Sequence, residues 1–217
     1  MAQVSGHQCL IYEGAPSRQL SALAAVTGDR LSHHYRCMCL NSAPMIARTR
    51  SYLATAGVDV ESALERGSLI LSSERSHLVD GHFDLDRMLA GLETALQGAL
   101  RDGYAGLWAT GDMTWEMGPD RDFSKLLEYE WRLEKFIREH PEMGGICQYH
   151  VDALPRAAMR HGVLTHRSLF VNETLSLLNP HAAEIGSTAQ GVIENAELDA
   201  VAACLCHASG ADEPRES

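Results

Sequence analysis

Two carboxylates stand where side chains of this type can do chemistry. Asp112 closes the run Leu107-Trp108-Ala109-Thr110-Gly111-Asp112, an apolar stretch of strand length that stops at Gly-Asp and continues into Met113-Thr114-Trp115. Such a run reads as a buried parallel strand delivering its last residue to the C-terminal edge of a sheet, where open α/β sheets bind their ligands. Asp112, with Met113 and Trp115 beyond it, then forms one wall of a pocket; the plainer alternative is that Asp112 caps a turn and Trp115 fills the core. Glu130 lies inside the apolar stripe Phe123, Leu126, Leu127, Leu133, Phe136, Ile137, and a carboxylate on the buried face of a helix is costly unless it is paired or functional. If Asp112 and Glu130 face one pocket, they supply an acid and a base, which admits a small hydrolase as one reading. Glu128 and Glu134 fall nearer the polar side of the stripe and read as solvated charges.

Thiols and imidazoles make a second group. Cys37-x-Cys39 follows His33-His34, and Cys204-x-Cys206-His207 brings soft ligands together near the end of the chain. Zinc, iron or haem accept such groups, so a metal- or haem-binding redox sensor is another reading. Against it, a C-x-C within a strand lacks the loop geometry of structural zinc sites, and Cys9, Cys37, Cys39 and Cys147 also suit a core. No residue is assigned as a metal ligand on this basis, and no cofactor is specified. His7 reads as a strand-start histidine with local hydrogen bonds. No nucleophile elbow or local triad signature appears.

These residues need a scaffold, and its elements alternate. Strand patterns occur at His7–Glu13, Tyr35–Asn41, Gly67–Leu71, Leu107–Thr110, Gly145–Tyr149 and Ser168–Asn172, with Glu173–Leu178 extending the last or turning back as a hairpin. Helical patterns lie between them. The clearest begins at the N-cap Asp84 and carries Leu85, Met88, Leu89, Leu92, Leu96, Ala99 and Leu100 on one face. Strand–helix alternation of this kind predicts a three-layer α/β fold with a largely parallel sheet. Thr188–Ala208 reads as a final amphipathic helix that packs on the domain or pairs with a second chain. The turn after the first strand, Glu13-Gly14-Ala15-Pro16-Ser17-Arg18, has no Gly-Lys-Ser/Thr, so a conventional nucleotide-binding loop is not expected there.

Composition narrows the classes. The 217 residues carry 18 Lys and Arg against 29 Asp and Glu, a formal charge of −11, without a basic face for nucleic acid or anionic membranes. No apolar run reaches the roughly 20 residues of a membrane span, and the first residues lack a basic region followed by an apolar one. Six cysteines are too sparse for a disulfide scaffold, and reduced thiols fit the expected cytoplasmic location.

The short motifs, in order, resemble one family. His7 with Tyr12-Glu13, Gly57-Val58-Asp59 before Gly67-Ser68-Leu69, Gly81-His82-Phe83-Asp84, Gly103-Tyr104-Ala105-Gly106-Leu107, Gly111-Asp112-Met113-Thr114-Trp115, Tyr129-Glu130 and Cys147-Gln148-Tyr149 are similar to the methanogen and methylotroph sensory domains, MEDS, of the dichloromethane-dehalogenase repressor type. The resemblance spans roughly residues 7 to 180. It implies a RecA-like fold that has lost its phosphate loop, and the sensing of small organic molecules such as hydrocarbon derivatives for attached DNA-binding or kinase modules. No such output module is evident, so a separate regulator or kinase, or use of the sensory unit alone, is implied. Residues 1–186 are expected to form the sensory domain, 187–209 a C-terminal helix for packing or a homodimer, and 210–217 a mobile tail. With Tyr12, Trp115 and Tyr149 at strand ends able to stack on an effector, the ligand-binding set is Tyr12, Glu13, Asp112, Met113, Trp115, Glu130 and Tyr149, and a non-enzymatic sensor is the reading carried forward.

Overall fold

Near-continuous burial along β1, β6, β7 and β8 (His7–Tyr12, Leu107–Asp112, Met143–His150 and Ser168–Asn172) shows that the sheet is covered on both faces. A computed structural model describes residues 6–15, 17–119, 121–183 and 195–209. The parallel core consists of β1 (His7–Tyr12), β2 (Arg36–Leu40), β3 (Leu69–Ser72), β6 (Leu107–Asp112), β7 (Met143–His150) and β8 (Ser168–Asn172), and β9 (Leu175–Leu178) returns antiparallel on β8. The order across the sheet is β3-β2-β6-β7-β1-β8-β9. Residues 173–178 therefore belong to a hairpin, one of the two alternatives the sequence left open. β4 (Leu78–Val79) and β5 (His82–Phe83) form a separate small ribbon.

Chain direction decides which face each helix covers. From β1 the chain moves one way across the sheet, through α1 (Leu20–Ser32) to β2, then through α2 (Ala43–Thr55) and α3 (Val60–Glu65) to β3. It then runs back through α4 (Leu85–Arg101) to β6, α5 (Met113–Glu116) and α6 (Leu126–Glu139) to β7, and α7 (Arg156–Thr165) to β8. Because parallel crossovers keep one hand, reversing direction puts the two sets on opposite faces. The packing agrees. Leu10, Tyr12, Leu20, Leu23, Leu53 and Trp108 form one core, and Cys9, Ile11, Leu96, Leu107, Leu133 and Val163 belong to the other. This is the three-layer, largely parallel α/β fold that the alternation predicts.

Local chemistry sets the helix ends. Asp84 accepts from the Arg87 amide as the N-cap of α4, and Pro44 sits in the first turn of α2 behind Ser42. α6 begins at Leu126, because the Asp122 side chain accepts from the Ser124 amide and holds a turn ahead of the helix. The last helix, α8 (Asn195–Ser209), buries Leu198, Ala202, Leu205 and Cys206 in the core of this same domain. Residues 184–194 and the tail expected over 210–217 lie outside the described residues. Among the described residues, no helix is long and apolar enough to cross a membrane.

Candidate functional site

The C-terminal edge of the sheet opens into a cleft of about 450 Å³, and strand geometry supplies its walls. Tyr12 ends β1, Asn41 and Ser42 follow β2, Asp112 ends β6, and His150 ends β7. At the β2–β6 and β7–β1 neighbours the outgoing connections leave toward opposite faces, which are the switch points where α/β sheets open a crevice. Thr114, Trp115, Met45, Arg75, Pro119 and Arg121 are also in the lining.

Asp112 is tied from two sides. Its Oδ1 accepts from the Trp115 amide at 2.9 Å, and its Oδ2 accepts from the Tyr12 hydroxyl at 3.1 Å. Burial raises its pKa, and these bonds, with those from Thr114, work in the opposite direction. Burial, then the Asp112 charge, pushes the Tyr12 phenol well above its usual range, so the hydroxyl stays a donor. The Tyr12 ring stacks on His150 at 4.8 Å, and the Arg75 guanidinium lies 5.3 Å from the Trp115 ring. The cleft thus presents aromatic faces beside an acid and two guanidinium-bearing residues.

Beside the cleft, the turn where nucleotide-binding α/β domains commonly place a phosphate loop is held by side chains. The Gly14 amide donates to Asp152 Oδ2 at 3.0 Å, and His150 Nε2 donates to the Gly14 carbonyl at 2.8 Å. A carboxylate on the amide that an anion would use disfavours phosphate there.

A second cluster lies inside the domain, under the face covered by α6 and α7. Side chains two apart on a strand share a face, so His7 and Cys9 on β1, and Cys147 and Tyr149 on β7, point into the same core. Glu130 and Glu134 are one helical turn apart on α6 and meet His7 between them. His7 Nδ1 donates to Glu134 Oε2 at 3.1 Å, while Nε2 lies 3.4 Å from both Glu130 Oε2 and Cys147 Sγ. His166, just past α7, donates from Nδ1 to the Gly162 carbonyl at 2.8 Å and turns Nε2 to within 3.5 Å of Glu130 Oε2. The Tyr149 hydroxyl donates to the other oxygen of Glu130.

These groups are fully enclosed, with Glu130 and His166 at 0% exposure. Burial lowers the His7 pKa, but hydrogen bonds to Glu130 and Glu134 outweigh it and bring it up to about 9. Burial, followed by the neighbouring His7 charge, takes His166 down to about 3. Burial would raise Glu130; the two imidazoles and Tyr149 prevail and lower it. Burial and then the Glu130 carboxylate push the Cys147 thiol well above its normal value.

The residues expected to bind ligand are divided among several places. Tyr12, Asp112 and Trp115 share the edge cleft. Glu130 and Tyr149 belong to the enclosed cluster, and Met113 is fully buried in the same core. Glu13 lies on a groove between α7 and α8, with Arg156, Asp199 and His207. Asp112 caps α5 and also lines the cleft. Asp112 and Glu130 have different surroundings: one is at the edge cleft, the other is enclosed beneath the sheet.

Two expectations need correction, those for Glu134 and His7. Glu134 is 2% exposed rather than solvated, because Arg167 and His7 draw it inward. His7 bonds across 127 residues rather than locally. Cys37 and Cys39 are buried in strand β2, with Cys37 donating to the Thr27 carbonyl, and His33 and His34 are exposed. Cys204 is exposed while Cys206 is buried, and among the described residues neither takes part in a cluster of three or more potential metal ligands. His166 and His150 were not singled out in the sequence. Only the pairing of distant strands brings them to these sites.

Fold and edge together define a three-layer α/β domain whose first strand-to-helix turn is closed by side chains rather than shaped around phosphate. The chain belongs to the MEDS family, the methanogen/methylotroph, DcmR sensory domain, whose model matches residues 6–167. It is a sensory domain by that membership. No curated protein matches the chain.

Proposed function

We propose that the domain senses a small organic effector in the cleft at the C-terminal edge of the sheet, and that a separate transcriptional regulator or kinase reads the bound state. One observation carries this reading: Tyr12, Asp112 and Trp115, three of the residues marked in the sequence, line one cleft at the switch points of the sheet. Its volume suits a molecule of modest size. Trp115, Met45 and the Tyr12 ring offer an apolar floor, while Asp112, Arg75 and Asn41 offer polar contacts for one functional group, which favours hydrocarbon-derived compounds carrying a polar end. Binding shifts the packing around α5, and the partner responds to that change. The arrangement supports binding rather than turnover, because Asp112 is already engaged by Tyr12 and the Trp115 amide.

The test is a thermal-shift screen of small organic compounds, followed by calorimetry on the hits. A compound that raises the Tm of the wild type and loses at least tenfold in affinity with Trp115→Ala and Asp112→Asn supports the reading. Hits whose affinity is indifferent to both substitutions sink it. Steady conversion of a hit to product would instead establish an enzyme.

A further inference from the structure

The enclosed cluster has the donor set of a metal centre, and it is independent of the effector cleft. His7, Glu130, Cys147 and His166 come from β1, α6, β7 and the end of α7, and their ligand atoms all lie within 4.8 Å of one another. A tetrahedral ion with bonds of about 2.0–2.1 Å to nitrogen or oxygen and about 2.3 Å to sulfur has ligand–ligand edges of about 3.3–3.6 Å. Four of the six corresponding separations here are 3.4 Å for His7 Nε2 to Cys147 Sγ, 3.4 Å for His7 Nε2 to Glu130 Oε2, 3.5 Å for His166 Nε2 to Glu130 Oε2, and 3.7 Å for Cys147 Sγ to Glu130 Oε2, and the other two are within 4.8 Å.

Orientation matters more than proximity. Each imidazole gives its Nδ1 hydrogen away from the centre, His7 to Glu134 and His166 to the Gly162 carbonyl, which leaves Nε2 of each ring aimed inward. His166 Nε2 is buried, faces a carboxylate oxygen, and makes no hydrogen bond among the described residues. A buried acceptor facing another acceptor is costly, and a cation between them removes the cost. Carboxylate or carbonyl partners on ligand histidines, and a hydroxyl on a ligand carboxylate, are the usual outer supports of a metal site; Glu134, Gly162 and Tyr149 supply all three.

We propose that these four residues hold one divalent transition-metal ion of the zinc class in a closed tetrahedral site that fastens β1, α6, β7 and the end of α7 together. Two neutral imidazoles, one carboxylate and one thiolate balance a charge of two, so the filled site is neutral in a core that tolerates no net charge. Binding releases two protons to solvent, one from the Cys147 thiol and one from His7 Nε2, which faces Glu130. Imidazole and thiolate select against magnesium and calcium and suit zinc or ferrous iron.

The test uses the whole chain, expressed in minimal medium supplemented with zinc or, separately, with cobalt. The expected result is about one ion per folded chain, retained through dialysis and released on unfolding, as structural sites behave. X-ray absorption should show a first shell of one sulfur with three nitrogen or oxygen neighbours, and the cobalt form should show tetrahedral visible bands with a thiolate charge-transfer band. Cys147→Ser should remove that band, and His166→Gln should lower metal content at least tenfold. A folded wild type with under about a tenth of an ion per chain, even after refolding with zinc, overturns the proposal. So does a first shell with no sulfur or several, a measurement that decides the matter even if both variants fail to fold. Loss of effector binding alone leaves this site untouched, so the two proposals fail separately.

Discussion

The Tyr12 hydroxyl reaches Asp112 Oδ2 at 3.1 Å although β1 and β6 are not neighbours, since β7 lies between them. That bond closes the floor of the edge cleft and joins the strand ends on which the effector reading depends. Asp112→Ala should cost about 2 kcal/mol, roughly 1 for the lost cap on α5 and roughly 1 for the orphaned Tyr12 hydroxyl. Tyr12→Phe should cost about 1 kcal/mol, as it spares the cap. Urea unfolding of both variants checks the ranking; equal losses would show that the cap contributes nothing.

Gly111 is required by its neighbour. A Cβ there would lie 1.7 Å from Glu116 Oε1, so Gly111→Ala should destabilise the domain by about 1–3 kcal/mol through overpacking. Glu116→Ala makes room for that methyl. The double variant should be more stable than the sum of the two single losses, and strict additivity in a double-mutant cycle would argue that the two side chains do not compete for the same space.

Glu116 also gives the domain a definite pH response. Burial first, then the charges of Glu130 and Asp112, raises its pKa well above the ordinary 4.5. A raised carboxyl binds more protons folded than unfolded, so its contribution is fully present below pH 4.5 and is lost as pH rises through the folded value. Glu116→Gln mimics the protonated acid. The variant should gain on the wild type by up to about 1.4 kcal/mol for each pH unit across that window. Stability curves measured from pH 5 to 8 that run parallel would contradict the assignment.

The final helix is held to α7 by a fork. Arg160 Nε and Nη2 donate to Asp199 Oδ1 and Oδ2 at 2.8 and 2.7 Å. Lysine keeps the charge but not the two parallel donors. Arg160→Lys should therefore speed hydrogen exchange across 195–209 while leaving the amides of β6 and β7 as slow as before. Unchanged exchange in α8 would mean that Leu198, Ala202 and Leu205 hold the helix without the pair.

The sequence by itself determined the architecture and one end of the site. Hydrophobic periodicity marked the parallel strands and the long helix that starts at Asp84, because periods of 2 and 3.6 are properties of adjacent residues. The abrupt Gly111-Asp112 after an apolar run placed an acid at the sheet edge for the same local reason. Order of the motifs was enough to indicate the family. Tertiary structure alone decided who faces whom: Tyr12 meets Asp112 across 100 residues, and His7 meets Glu134 across 127 and Cys147 across 140. Glu134 illustrates the boundary. On a helical projection it sits at the margin of the apolar stripe, and only the arrival of His7 from β1 and Arg167 ahead of β8 turns that margin inward. Burial of a charge depends on partners that come from other elements, and strand order, which brings them, follows from the summed packing of the whole sheet rather than from any short stretch of chain.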